Sequence, residues 1–397
     1  MKFAPTSVRW LFTLAGFVTV NLLAFLILLE LCCWLAWSGY HLVSPSPIQP
    51  LISSPAYGGA PWLHDFYREE SVRLKSHLVY VPFRLWGPAE WHGKYVNIDS
   101  SAAGIWRRSL SPSKEQCKNH PETSVWVFGS SAVFGTGVPD WETMPSYLSR
   151  SLNGGGSSCV VVTNFGMEGY VSTQEVILLT EQLKQGRHPS IVIFYEGFND
   201  ALLGMNASDP RTAHHYFDTI RDRVEGSFRG RFDFLGKSYS VRTARLIYAF
   251  FRRSPSYAVV DRTARAAATL DNYEANLALV RALSGAYNFK LYCFLEPTLL
   301  YGHKPLVPYE KQLDEFDSRS DRLNVRATAA VYEEAARRSG AGAAFVDLAN
   351  LFDNISAPIY VDEVHVGPQG NELVANAIAK YMEDHPDGIE FPHSKGQ

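Results

Sequence analysis

Four short segments carry residue types that nucleophilic chemistry can use. Residues 127–135 read VFGSSAVFG, an apolar run that breaks into Gly-Ser-Ser. A serine just past a strand end, with a helix following, is placed for attack on a carbonyl. Serines after glycine are also common in polar turns, and this is not the Gly-x-Ser-x-Gly elbow. Residues 164–172, NFGMEGYVS, hold glycines that let backbone N–H groups approach a bound group, although an ordinary β-to-α turn reads the same way. Residues 196–200, EGFND, place the Asn199 amide where it can meet a developing oxyanion, or where Asn199 or Asp200 caps a helix. Residues 362–370, DEVHVGPQG, set Asp362 three positions before His365. In a turn both side chains can face one point, which suits a base oriented by a neighbouring carboxylate.

These segments fall at or just after the ends of strand-like runs. From about residue 120, short apolar runs alternate with helical patterns: strands at 124–129, 159–166, 191–197, 290–297 and 343–348, and helices at 141–152, 270–287, 326–340 and 368–382. Ser172 and Glu175 read as a capping box that opens another helix. Such alternation predicts a mainly parallel sheet covered by helices on both faces, with ligands at the C-terminal edge of its strands. Residues 202–268 interrupt the rhythm with twelve Lys/Arg against six Asp/Glu. They read as an inserted, solvated helical cap. The competing reading is a lid whose basic helix at 240–253, with Arg252 and Arg253, touches anionic headgroups or an acidic polymer.

The N-terminal part differs. Residues 10–29 hold no charge, and twenty residues of helix span about 30 Å, the hydrocarbon thickness of a bilayer. Trp10 lies at one end of this run and Trp34, Trp37 and Tyr40 at the other, where amphipathic rings favour headgroups. Lys2 and Arg9 precede the run, and the next Lys or Arg is Arg68. That asymmetry predicts a signal-anchor with a cytoplasmic N-terminus and a non-cytoplasmic body; a cleaved signal peptide is the alternative. The expected organisation is residues 1–40 as cytoplasmic end and transmembrane helix, 41–119 as a Pro-rich linker with an aromatic lead-in, and 120–397 as the main domain.

A net charge of −3 over 397 residues argues against a nucleic-acid binder. Five cysteines are too few for a disulfide scaffold, and none has zinc spacing. A non-cytoplasmic body permits a disulfide. Cys117 and Cys159 each precede a predicted strand, and their pairing is left open. Cys293 reads as a buried free thiol.

Taken together and in this order, the four segments resemble the SGNH (GDSL-like) hydrolase superfamily over about residues 122–383. The matching positions are Ser131, Gly169, Asn199 and His365. Where that family often reads Gly-Asp-Ser, this chain has Gly129-Ser130-Ser131. The resemblance implies a three-layer α/β/α fold with a five-stranded mainly parallel sheet, and neither metal nor cofactor. It implies Ser131 as nucleophile, His365 as base and Asp362 as its orienting acid. It implies an oxyanion hole from the Ser131 N–H, the Gly169 N–H and the Asn199 side-chain amide. The expected substrate is an acyl ester, with O-acetyl groups of cell-envelope or extracellular polysaccharide as one class. An O-acyltransferase using the same residues and a non-catalytic assembly module are the alternatives.

Overall fold

The computed structural model describes residues 6–43, 51–101, 104–112, 114–118, 120–155, 159–207, 209–226, 238–251, 261–317, 325–340 and 342–388. They fall into two units, one of Met1–Gln49 with Tyr216–Ala258 and one of Pro50–His215 with Val259–Gln397. Arg252 and Arg253 lie outside the described residues.

Helix α1 (Thr6–Val43) opens the chain and belongs to the smaller unit. The larger unit begins with a 3-10 turn, Pro55–Tyr57, and α2 (Leu63–Arg73). A hairpin of β1 (Leu78–Val81) and β2 (Leu85–Pro88) follows. Next come β3 (Trp91–His92), β4 (Asn97–Ser101) and β5 (Gly104–Arg107). The alternating part comprises β6 (Glu122–Gly129), α3 (Ser131–Phe134), α4 (Met144–Asn153), β7 (Cys159–Asn164), α5 (Ser172–Lys184), β8 (Ile191–Glu196) and α6 (Phe198–Asn206). Two helices of the smaller unit intervene, α7 (Phe217–Val224) and α8 (Tyr239–Phe251). The larger unit resumes with α9 (Arg262–Tyr287), β9 (Lys290–Leu295), α10 (Pro308–Asp317), α11 (Ala329–Arg338), β10 (Val346–Asp347) and α12 (Pro368–Asp384).

The sheet order is β10-β9-β8-β6-β7-β5-β4-β3. The first five strands pair in parallel, as the alternation predicts. The expectation of five strands is corrected to eight in a mixed sheet, because β5, β4 and β3 extend the β7 edge antiparallel. Within the parallel part, chain order places the second strand beside the first and the third on its other side. That makes the gap between β6 and β8 the switch point, where ligands bind outside the strand ends.

A parallel sheet covered on both faces needs apolar residues at successive positions, and β6 shows why. Trp126 and Phe128 point into a core with Leu178 and Leu179 of α5 and Tyr273 and Leu277 of α9. Val125 and Val127 point into a second core with Met144 and Leu148 of α4 and Val374 and Ile378 of α12. The two-residue period thus sorts neighbours to opposite layers. Cys117 and Cys159 form a disulfide that ties the lead-in to the start of β7, and Cys293 is a buried free thiol.

The expected capping box at Ser172 and Glu175 does not form. Gln174 Oε1 accepts the Val171 N–H. The Ser172 hydroxyl donates instead to Asp200 Oδ1 at 2.6 Å, and its N–H to Asp200 Oδ2 at 2.8 Å. A tertiary acceptor has replaced the local one.

Candidate active site

β6 ends at Gly129, and the chain turns at once into the single helical turn α3, with Ser131 as its first residue. The first N–H groups of a helix have no internal acceptor, so the Ser131 N–H and hydroxyl arise from the same residue at the switch point. Lead-in residues hold this turn from behind. Arg107 of β5 is almost fully buried and donates to the carbonyls of Phe134, Gly135 and Val138, while its Nε pairs with Asp140 at 3.0 Å.

The His365 loop is a self-bracing turn. Asp362 Oδ1 accepts the backbone N–H groups of Val364 (3.0 Å) and His365 (2.7 Å). This turn brings the other oxygen, Oδ2, to 2.7 Å from His365 Nδ1. A carboxylate only accepts, so Nδ1 carries the proton and Nε2 presents its lone pair. Nε2 lies 2.7 Å from Ser131 Oγ. The carbonyls of Glu363 and Val361 are held by Leu299 N–H and Tyr309 OH. The buried Glu310 carboxylate, paired with Lys304, takes the N–H groups of Ile359 and Tyr360 just upstream.

Burial resists the charge on His365, but the adjacent Asp362 carboxylate outweighs it and raises the imidazole above its ordinary value. Burial likewise pushes the Asp362 carboxyl up, and His365 with the two backbone N–H groups outweighs that and holds it below the usual range. Both shifts favour an ion pair, the state reached when the imidazole takes a proton.

The second segment packs tightly against the first. A Cβ at Gly166 would lie 2.2 Å from Phe134 N, so only glycine permits this approach. Gly169 has φ +78°, a left-handed conformation that disfavours side chains. A Cβ there would also stand 3.0 Å from His215 Cδ2 and 3.7 Å from Trp86 Cζ2. Asn199, in the first turn of α6 and mostly buried, donates through Nδ2 to the Tyr170 carbonyl at 2.8 Å. That bond links the third segment to the second and leaves the amide a second N–H.

The structure therefore brings Ser131, His365 and Asp362 into one hydrogen-bonded line. It places Gly169 beside Tyr170, whose carbonyl holds Asn199. In EGFND, Asn199 holds the Tyr170 carbonyl, the N-cap of α6 is Gly197 and neither Asn199 nor Asp200, and Asp200 instead accepts the Ser172 N–H at the N-terminus of α5. The sequence reading does not single out Arg107 or Glu310, and it weighs His214-His215 only as a metal pair, which it rejects. A lone Arg or Glu gives no local signal of burial when its partners are tens of residues away, and His215 reaches Gly169 only through the fold.

The sequence matches the GDSL-like Lipase/Acylhydrolase family over residues 127–373. No curated protein matches it. Among solved structures it is similar to an acetylxylan esterase from Geobacillus stearothermophilus at 14% identity, covering 69% of this chain and 97% of that one, with a TM-score of 0.34. It is similar to an alpha/beta hydrolase from the metagenome of Lake Arreo, Spain, at 12% identity, covering 66% and 95%, with a TM-score of 0.35. A member of the lipolytic G-D-S-L family from Veillonella parvula matches at 12% identity, covering 66% and 98%, with a TM-score of 0.33.

Proposed function

The chain belongs to the GDSL-like lipase/acylhydrolase family, an ester hydrolase of the SGNH type, and on that premise we propose that Ser131, His365 and Asp362 are its catalytic triad and that it works from a membrane tether on the non-cytoplasmic side. The observation that carries the reading is the line from Ser131 Oγ through both His365 nitrogens to Asp362 Oδ2, 2.7 Å at each hydrogen bond.

In this reading Ser131 Oγ attacks the ester carbonyl carbon while His365 Nε2 takes its proton. Asp362 stabilises the imidazolium and keeps the ring oriented. The carbonyl oxygen becomes an oxyanion, met by the N–H of Ser131, the N–H of Gly169 and the Asn199 amide. The ester C–O bond breaks, and His365 returns the proton to the leaving alcohol. Water, losing a proton to the same imidazole, then attacks the acyl-serine and frees the acid. A sugar hydroxyl in place of that water turns hydrolysis into transfer.

The compartment rests on separate supports. α1 contains an apolar stretch, Phe12–Gly39, long enough to cross a bilayer. Lys2 and Arg9 precede it and no Lys or Arg follows until Arg68. The Cys117–Cys159 disulfide suits an oxidising compartment. A body held there faces cell-envelope and extracellular polysaccharide, and O-acetyl groups on such polymers are the substrate class we assign.

A fluorophosphonate probe tests the centre. Labelling is expected at Ser131, and Ser131→Ala is expected to abolish it and to lower kcat on the order of 10⁶-fold. Labelling that persists in Ser131→Ala removes the triad assignment. A panel of simple esters of increasing acyl length then tests the substrate class: acetyl preference supports it, and long-chain preference moves the substrate to lipids.

A further inference from the structure

Glu30 is the only Asp, Glu, Lys or Arg between residues 10 and 43, and a carboxylate in so apolar a helix needs a partner. Its partner is the N-terminus of α8. Glu30 Oε1 accepts the Tyr239 N–H at 2.6 Å. Oε2 accepts the Ser238 hydroxyl (2.7 Å), the Ser240 N–H (3.0 Å) and the Ser240 hydroxyl (2.8 Å). Farther along, Trp37 Nε1 donates to Thr243 Oγ1 at 3.2 Å. Glu30, Cys33 and Trp37 are partly covered, while Leu31, Trp34 and Leu35 on the other faces are exposed. That i, i+3, i+7 stripe is a helix-packing face.

Both contacts advance in the same sense along the two helices, from Glu30 to Trp37 and from Tyr239 to Thr243. α8 therefore starts level with Glu30 and runs outward beside the last turns of α1. With Trp10 at one headgroup layer, the about 30 Å of hydrocarbon ends near residue 30 and the second aromatic belt, Trp34 and Trp37, falls in the other layer. The α8 residues paired with Glu30 and Trp37 share that depth. Between residues 238 and 260 the sequence has Arg242, Arg245, Arg252 and Arg253 and no acidic residue, a composition that suits phosphate groups.

We propose that α8 is a second bilayer-contacting element, docked on α1 by Glu30 so that its first turns lie in the phospholipid headgroup layer on the non-cytoplasmic side. This rests on the membrane reading of α1. It replaces a solvated cap with a helix fixed at the lipid surface, and Glu30, set within the apolar segment, determines how deeply it sits.

The test uses the full chain in phosphatidylcholine–phosphatidylglycerol vesicles, with Cys32 and Cys33 changed to Ser. A fluorophore on Ala244→Cys, an exposed position, is expected to be quenched by lipid nitroxides carried at the headgroup. One on Leu22→Cys is expected to be quenched by nitroxides deep in the acyl chain. Quenching at Leu22 without quenching at Ala244 overturns this proposal and leaves the anchor standing. Quenching at neither site removes the anchor itself, and the proposal with it. Separately, Trp37→Cys with Thr243→Cys is expected to cross-link under oxidation. Adding Glu30→Ala, which removes a cap acceptor, should lower the cross-linked fraction about fivefold. An unchanged fraction refutes the role given to Glu30.

Discussion

Asp362 and the acids packed around the start of α6 lie at the same edge of the sheet but in different surroundings. Asp362 is half-buried, takes two backbone N–H groups and touches an imidazole that can become a cation. Glu175, Glu196, Asp200 and Glu296 are buried, and among the described residues none of them is hydrogen-bonded to an imidazole or another cationic side chain. Apart from each other, the carboxyls of Glu175 and Glu196 have no hydrogen-bond partner among the described residues. Burial pushes both upward, the neighbouring Glu175 raises Glu196 further, and a hydrogen bond from Glu196 offsets only part of the rise at Glu175, so the pair keeps a proton between them. Glu296 accepts the Phe198 N–H, yet burial still lifts it to about 7. Asp200 accepts both the N–H and the hydroxyl of Ser172 and is still lifted to about 6. Hydrogen bonds alone do not offset burial here; a positive charge does. Charge is favoured at the corner formed by Asp362 and His365, whereas burial works against charge in the floor formed by these four acids, most strongly at the Glu175–Glu196 pair.

Asp362→Asn attacks the charged side and carries the largest expected effect. The structure loses the anion that holds the His365 proton at Nδ1, so kcat should fall about 10⁴-fold. The pH profile gives a sharper reading. In the proposed mechanism His365 acts as a base only when neutral, so kcat/KM should climb with pH through a midpoint above the ordinary imidazole value. In Asp362→Asn the residual activity should show that midpoint shifted toward lower pH. An unshifted limb means that Asp362 does not set the charge of His365.

Asn199→Ala removes the proposed oxyanion donor, which lies in the first turn of α6 next to Asp200. The expected loss in kcat is about 10²- to 10³-fold, with folding intact by circular dichroism. A loss as large as that of Asp362→Asn would mean that the Tyr170 loop itself had moved. Asp200→Ala lies wholly within the floor. It strips acceptors from the Ser172 N–H and hydroxyl, so denaturant melts should show a stability loss of about 1–3 kcal/mol. Its effect on kcat should be smaller than that of Asn199→Ala.

How far the chain reveals this in advance depends on the range of the interaction. The five parallel strands are legible because burial on both faces demands unbroken apolar runs. The Asp362–His365 turn is legible because its partners are three residues apart. The added strands are legible only in part: KYVNI at 94–98 reads as an extended piece, but Asn97–Ser101 is the short, polar NIDSS, and nothing local shows that it joins the sheet by pairing with β5, which takes the edge that β7 leaves open. Arg107 pairs with Asp140 across 33 residues and Glu310 reaches Ile359 across 49, separations at which no spacing rule operates. The Ser172–Glu175 pattern misleads for the same reason. A local cap was available, but Asp200 took the hydroxyl and Glu175 turned inward toward Glu196.

Glu175→Gln probes the neutral side most gently. A carboxyl whose value is raised on folding releases its proton when the chain unfolds, once pH exceeds the ordinary carboxyl range. The folded protein then binds more protons than the unfolded one, so stability declines as pH rises. For Asp200 and Glu296 the decline runs from the ordinary value of about 4 up to about 6 and about 7, and the Glu175–Glu196 pair adds to it. Asp362 behaves in the opposite sense: its contribution is present above its ordinary value and is lost as pH falls through its lowered one. Glutamine keeps the shape of Glu175, offers Glu196 an N–H donor and has no proton to release. Melting measured across pH 5 to 8 should therefore change little at the acid end, within about 0.5 kcal/mol. The downward slope should become shallower by at most one proton, about 1.4 kcal/mol per pH unit. A slope equal to that of the wild type would mean that the pair is ionised in the folded state, and the contrast between the charged Asp362–His365 corner and a protonated carboxyl pair would be lost.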